Sequence, residues 1–142
     1  MGGVACMKFV DILAINKRMM YESNNLAAEV LTKSLAYNDT SFGTWESGLK
    51  VIKSLIYDHG KIDTTNIRLS DGSGLSRYNL SSAKSFTTLL DYIYFSKYKD
   101  EFIKALPHGG SKKSTLENRF KHYKDSIIAK TGTLSGVSCI SG

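Results

Sequence analysis

The closing stretch IIAKTGTLSGVSCISG (Ile127–Gly142) limits what this chain can fold into more than any other part of it. Its apolar, β-branched start reads as a strand from Ile127 to Thr131. Leu134-Ser135-Gly136 has turn composition, and Val137 to Ile140 reads as a second strand. A lone two-stranded hairpin is marginal in water and needs further strands or a covering helix. The chain is therefore expected to be mixed, α/β (α+β), with a helical body beside the edge of an antiparallel sheet, as part of a larger α/β domain.

The same stretch is chemically unusual. A strand that begins with Ile127-Ile128-Ala129 gives its next positions to a cation, a hydroxyl, a glycine and another hydroxyl. A Lys-Thr-Gly triplet is expected only about 0.1 times by chance at this composition. Lys130 offers positive charge, Thr131 and Thr133 offer hydroxyls, and Gly132, without a Cβ, lets a substrate backbone approach. A main-chain N–H beyond the glycine can point at a developing oxyanion. The plain alternative is a polar hairpin edge with a solvated lysine.

Upstream, apolar residues recur at helical spacing. Phe9, Ile12, Leu13 and Met19-Met20 place a helix over Lys8–Glu22, and a second runs from Leu26 to Leu35 with Ala27, Val30 and Leu31 apolar. Trp45, Leu49, Ile52 and Ile56 define a third over Trp45–His59, stopped by Gly60. Ser81 or Ser82 caps a fourth whose core face is Phe86, Leu89, Leu90 and Ile93. Asp100–Leu106 is a short helix ended by Pro107, Thr115–Phe120 one or two further turns, and Ile67–Leu69 a short strand. Ser23-Asn24-Asn25 falls between the first two helices. It reads either as a cap pair or as a serine and an amide projecting into a cleft; Ser-x-Asn alone is expected about 0.9 times by chance.

Several function classes find no support. Asp71-Gly72-Ser73-Gly74 lacks the pattern of a phosphate loop. His59, His108 and His122 have no ligand spacing, and Cys6 and Cys139 form no CxxC pair, so neither a metal nor a cofactor is expected. The N-terminus lacks a signal peptide's basic and apolar regions, and no run of about 18 apolar residues could span a bilayer. The net charge is +6, most of it between Lys97 and Asp125. That segment reads as a solvated basic face, with nucleic-acid binding as the alternative.

Taken together the pieces are specific. Ser-x-Asn and Lys-Thr-Gly, in this order, are two of the three signatures of the penicillin-recognising serine enzymes. With MMYESNNLAAEVL (Met19–Leu31), GTWESG (Gly43–Gly48), SDGSGLSRYNLSS (Ser70–Ser82), ALPHGG with STLENRF (Ala105–Phe120) and AKTGTLSGVSCISG (Ala129–Gly142), the chain closely resembles the D-alanyl-D-alanine carboxypeptidase/endopeptidase family. This is the low-molecular-mass class C group of penicillin-binding proteins. The resemblance implies a partial serine β-lactamase/transpeptidase-like fold with the site between helical subdomain and sheet. It implies acyl transfer from a peptidoglycan stem peptide to a serine, sensitivity to β-lactams, and a periplasmic location. Ser23 would relay protons, Asn25 would bind a substrate amide, and Lys130 would polarise Ser23. Thr131 and Thr133 would hold the terminal carboxylate beside Gly132, and the Thr133 N–H would help form the oxyanion hole.

The family's nucleophile sits in an SxxK motif upstream of Ser-x-Asn, and none precedes Ser23. Ser47–Lys50, Ser81–Lys84 and Ser96–Lys99 match the spacing but follow in the wrong order, and about two such matches are expected by chance. The expectation is that residues 1–142 form the C-terminal part of such a domain, without the SxxK portion and the last strands, and are inactive alone. The competing expectation is a non-catalytic remnant that binds cell-wall peptide.

Overall fold

The computed structural model describes residues 11–37, 42–124 and 126–142. Cys6 and the expected first-helix residues Lys8, Phe9 and Val10 lie outside them.

Helix α1 spans Ile12–Glu22, capped by the Asp11 carboxylate, which accepts from the Leu13 N–H. It ends at Ser23, which turns left-handed at φ 55° and ψ 50° while its N–H still bonds Met19 O. One residue later Asn24 opens α2, Asn25–Ser34, its side-chain oxygen accepting from the Ala27 N–H at 3.0 Å. Both cap chemistries foreseen for Ser23-Asn24-Asn25 are therefore present, in two consecutive residues. Helix α3, Trp45–Asp58, begins with a capping box between Thr44 and Ser47 and packs on α2. Helix α4 is Ala83–Tyr94, capped by Ser82, and α5 is Lys99–Ala105, packed against α1.

Strands β1, Lys130–Leu134, and β2, Val137–Ser141, pair antiparallel in the register Lys130↔Ser141, Gly132↔Cys139 and Leu134↔Val137. The turn is Ser135-Gly136, with Gly136 at φ 77° where a side chain would be strained. The hairpin thus starts three residues later than the sequence pattern places it. Ile127-Ile128-Ala129 is extended but pairs elsewhere: His108 bridges Ile128, Gly109 N–H donates to Ile127 O, and Ala129 N–H donates to Pro107 O. Ile67–Leu69 likewise reduces to one bridge, Arg68 to Leu80, which closes the loop between. Thr115–Phe120 forms turns, and the helical turn there is a 3-10 segment at Lys121–Tyr123.

The most buried apolar side chains, Ile62, Ile67, Leu106, Leu116 and Ala129, belong to connecting segments rather than to the faces of the helices. Phe86, expected on the core face of its helix, and Ile12, Leu13 and Trp45, apolar at helical spacing, stand about half exposed. An apolar groove of about 990 Å³ opens between α4, α5 and the hairpin, with Phe86, Leu90, Ile103 and Ile128 on its walls. Among the described residues no helix is long and apolar enough to cross a membrane.

Candidate active site

The site is assembled from two local devices far apart in sequence. The first is the α1–α2 junction. Because Asn24 supplies the α2 cap, Asn25 is left as the first helical residue, half-buried, and its amide has no hydrogen-bond partner among the described residues. Ser23 is half-buried in its left-handed pivot. The second device is β1, which delivers Lys130 to that junction. Lys130 Nζ donates to Ser23 Oγ at 2.9 Å and to Thr131 O at 2.6 Å. Burial pushes the Lys130 ammonium below the ordinary lysine range, with the Cys139 sulfur opposing that weakly.

Alternation along β1 puts Lys130 and Gly132 on one face and Thr131 and Thr133 on the other. Thr131 is buried and Thr133 is exposed. The two-residue turn closes on the Leu134–Val137 pair, so antiparallel alternation directs the Gly132 amide at β2 and the Thr131 and Thr133 amides away from it. A ligand touching both the ammonium and the threonines would therefore lie along that outer edge of β1. Across from Gly132 stands Cys139; a Cβ added at Gly132 would come 2.5 Å from Cys139 Sγ. The sequence-derived set is thus brought together only in part by direct contact: Ser23 and Lys130 touch, Asn25 stands beside them in sequence, and Thr131–Thr133 continue the same strand.

Sequence reasoning missed the loop that spans these devices. Glu29, one helical turn beyond Asn25, accepts from Ser73 N–H at 3.0 Å, from Gly72 N–H at 3.2 Å and from Trp45 Nε1–H at 2.8 Å. Burial by itself raises its pKa, but the hydrogen bonds from Ser73, Gly72 and Trp45 outweigh this and hold the carboxyl below the usual glutamate range. Asp71 gathers the rest of the loop by accepting from Gly74 N–H, Ser76 N–H and Asn79 Nδ2–H. Arg77 then donates to Ser135 O at 2.7 Å, on the β1–β2 turn. The one available signal was Glu29 falling on the same helix face as Asn25.

Two of the three serines at SxxK spacing are occupied locally. Ser47 serves the α3 capping box while Lys50 bonds Glu46, and Ser96 donates to Ile93 O. In the basic segment, Lys99 lies 3.7 Å from the Tyr94 ring centroid, so at least this cation is engaged by its neighbour.

Comparison with known proteins matches residues 4–142 to the D-Ala-D-Ala carboxypeptidase 3 (S13) family. The D-alanyl-D-alanine carboxypeptidase of Actinomadura sp. (strain R39) is 37% identical over 126 residues, covering 84% of this chain and 23% of the relative. DacB of Haemophilus influenzae is 33% identical over 131 residues, covering 89% of this chain and 27% of that protein. The crystal structure of penicillin binding protein 4 (dacB) from Haemophilus influenzae superposes with a TM-score of 0.78 at 32% identity, over 91% of this chain and 29% of that one. A second structure of that protein, complexed with a novel β-lactam, superposes with a TM-score of 0.79. The mixed helix-and-sheet architecture is thus that of the matched structure, and the chain spans about a quarter of the length of the relatives it matches.

Proposed function

The chain belongs to the D-Ala-D-Ala carboxypeptidase 3 (S13) family, and from that premise we propose that it carries the proton-relay and carboxylate-binding half of a serine-type D-Ala-D-Ala carboxypeptidase site. The observation behind this reading is the Lys130–Ser23 hydrogen bond, which joins the two signature motifs across the fold. In this reading the substrate is a peptidoglycan stem peptide. An attacking serine displaces the terminal D-Ala to give an acyl-enzyme, and the Ser23 hydroxyl passes the proton to the departing amine. Lys130, whose burial loosens its hold on a proton, polarises Ser23 and adds positive potential for the carboxylate. Thr133, exposed on the outer edge of β1, meets that carboxylate with buried Thr131 behind it, and its amide faces the oxyanion. Asn25, whose amide is unengaged among the described residues, takes the substrate's peptide group. Ser47 and Ser96, held in local hydrogen bonds, are not the nucleophile, and neither is Ser81. A periplasmic setting and β-lactam sensitivity belong to the same reading.

The test is to add benzylpenicillin to the purified chain, following intact mass and the backbone amide shifts of Thr131, Gly132 and Thr133. The expected result is movement of those three amides without a covalent adduct. Unmoved amides in a folded chain would remove the carboxylate-binding role of the β1 edge. An adduct mapped to Ser47, Ser81 or Ser96 would overturn the division of labour.

A further inference from the structure

We infer that Glu29 is a positioning residue: through the loop from Asp71 to Arg77 it ties the helix that begins at Asn25 to the turn of the hairpin that carries Lys130, and so sets the Ser23–Lys130 contact. The inference rests on reading Ser23 and Lys130 as one site. Its basis is a continuous path of contacts. At one end, both Glu29 oxygens are used: Oε1 takes the Ser73 N–H and Oε2 takes the Gly72 N–H together with the indole N–H of Trp45. Carboxylates that accept backbone and indole donors form charge-assisted bonds with fixed direction. Gly72 lies against α2 so closely that an added Cβ would come 2.0 Å from Thr32 Oγ1.

In the middle, the loop cannot stretch independently of that anchor. Asp71 closes it from within by accepting from Gly74 and Ser76 N–H and from the Asn79 amide, which itself accepts from Ser70 N–H. The bridge between Arg68 and Leu80 pins its base. At the far end, the Arg77 guanidinium holds Ser135 O, immediately beyond Leu134 at the end of β1. Among the described residues β1 pairs only with β2, and the hairpin's other hold is at its base, where Ala129 N–H bonds Pro107 O, so this guanidinium restrains the turn end. A tilt of β1 moves Lys130 away from Ser23, which is itself fixed to α2 through the Asn24 cap.

The experiment uses the full 142-residue chain and reads the Lys130 side chain by its 13Cε resonance during a pH titration. In the parent chain burial is expected to hold the Lys130 midpoint below the ordinary lysine range. In Glu29→Ala the Lys130 midpoint is expected to move up towards the ordinary lysine value of about 10.4, while the amide spectrum of α4 and α5 stays in place. Glu29→Gln, which keeps an acceptor oxygen for Ser73 N–H, is expected to recover part of the shift. Arg77→Met cuts the link at its other end, removes an exposed side chain, and is expected to reproduce the Glu29→Ala shift. It decides the matter if Glu29→Ala does not fold. A folded Glu29→Ala or Arg77→Met chain in which Lys130 titrates as in the parent would overturn the inference, because the site would then keep its geometry without the link. Failure of the amides of Thr131–Thr133 to respond to benzylpenicillin would instead count against the functional reading, and the two failures are separable.

Discussion

The Lys130 ammonium and the Ser23 hydroxyl lie 2.9 Å apart although 107 positions separate them in the chain. The contact joins a strand to the pivot between two helices, and burial there lowers the lysine's pKa. Because burial lowers the Lys130 pKa, the unfolded chain binds more protons than the folded one between that lowered value and about 10.4. The contribution of this group to stability therefore rises with pH through that window, and at neutral pH the full burial penalty stands. Denaturant midpoints of the parent and of Lys130→Met, compared from neutral to alkaline pH, should converge in that direction; a difference that ignores pH would disprove the assignment.

Glu29 has the opposite sign. Its folded pKa is depressed, so its stabilisation is complete above the unfolded value and disappears as pH falls through the folded one. Glu29→Gln should be less stable than the parent at neutral pH and should approach it below the ordinary glutamate range. Parallel melting curves at the two pH values measure this.

Gly72→Ala should destabilise by about 1–3 kcal/mol, the usual range for forcing a methyl into packed space. The new Cβ would face Ala28 O at 3.0 Å as well as Thr32, and helix backbone cannot retreat. Urea unfolding gives the magnitude, and faster exchange of the Ser73 amide should accompany it.

At Gly132 the obstruction is one side chain, Cys139. Gly132→Ala should destabilise by no more than about 1 kcal/mol, and Cys139→Ala in the same chain should remove most of that. A double-mutant cycle with no coupling energy would show that the two residues are not opposed as described.

Asn24→Ala should lose about 1 kcal/mol, the common value for an N-cap, since it removes the oxygen that accepts the Ala27 N–H. Asn24→Asp should restore it. Thermal unfolding of the three chains is the measurement.

How far the sequence revealed this structure depended on the reach of each interaction. The helices and the cap at Ser82 were readable because period and cap chemistry act within a few residues, whereas the Thr44 capping box was not read from the sequence. The strand was misplaced by three residues because Ile127–Ala129 satisfies its backbone against Pro107–Gly109, a pairing that no local pattern encodes. Amphipathic faces were correctly apolar, yet Ile12 and Phe86 are not core, since burial needs a partner surface as well as a period. Lys130 stood out by its chemistry within a strand, and Ser23 and Asn25 were put with it through family resemblance; spacing alone could not have joined them. Arg77 escaped notice because an exposed arginine bonding a turn carbonyl 58 residues away leaves no trace in composition or periodicity.

The left-handed backbone at Ser23 has an evolutionary corollary. A glycine would adopt φ 55° and ψ 50° with less strain than serine does, so backbone comfort and the proposed relay role favour different residues at this position. Selection for heat resistance alone should drift towards Ser23→Gly, raising the melting point while discarding the hydroxyl that Lys130 holds. A laboratory lineage evolved for heat resistance alone would record, at this one codon, how strongly the left-handed backbone favours glycine.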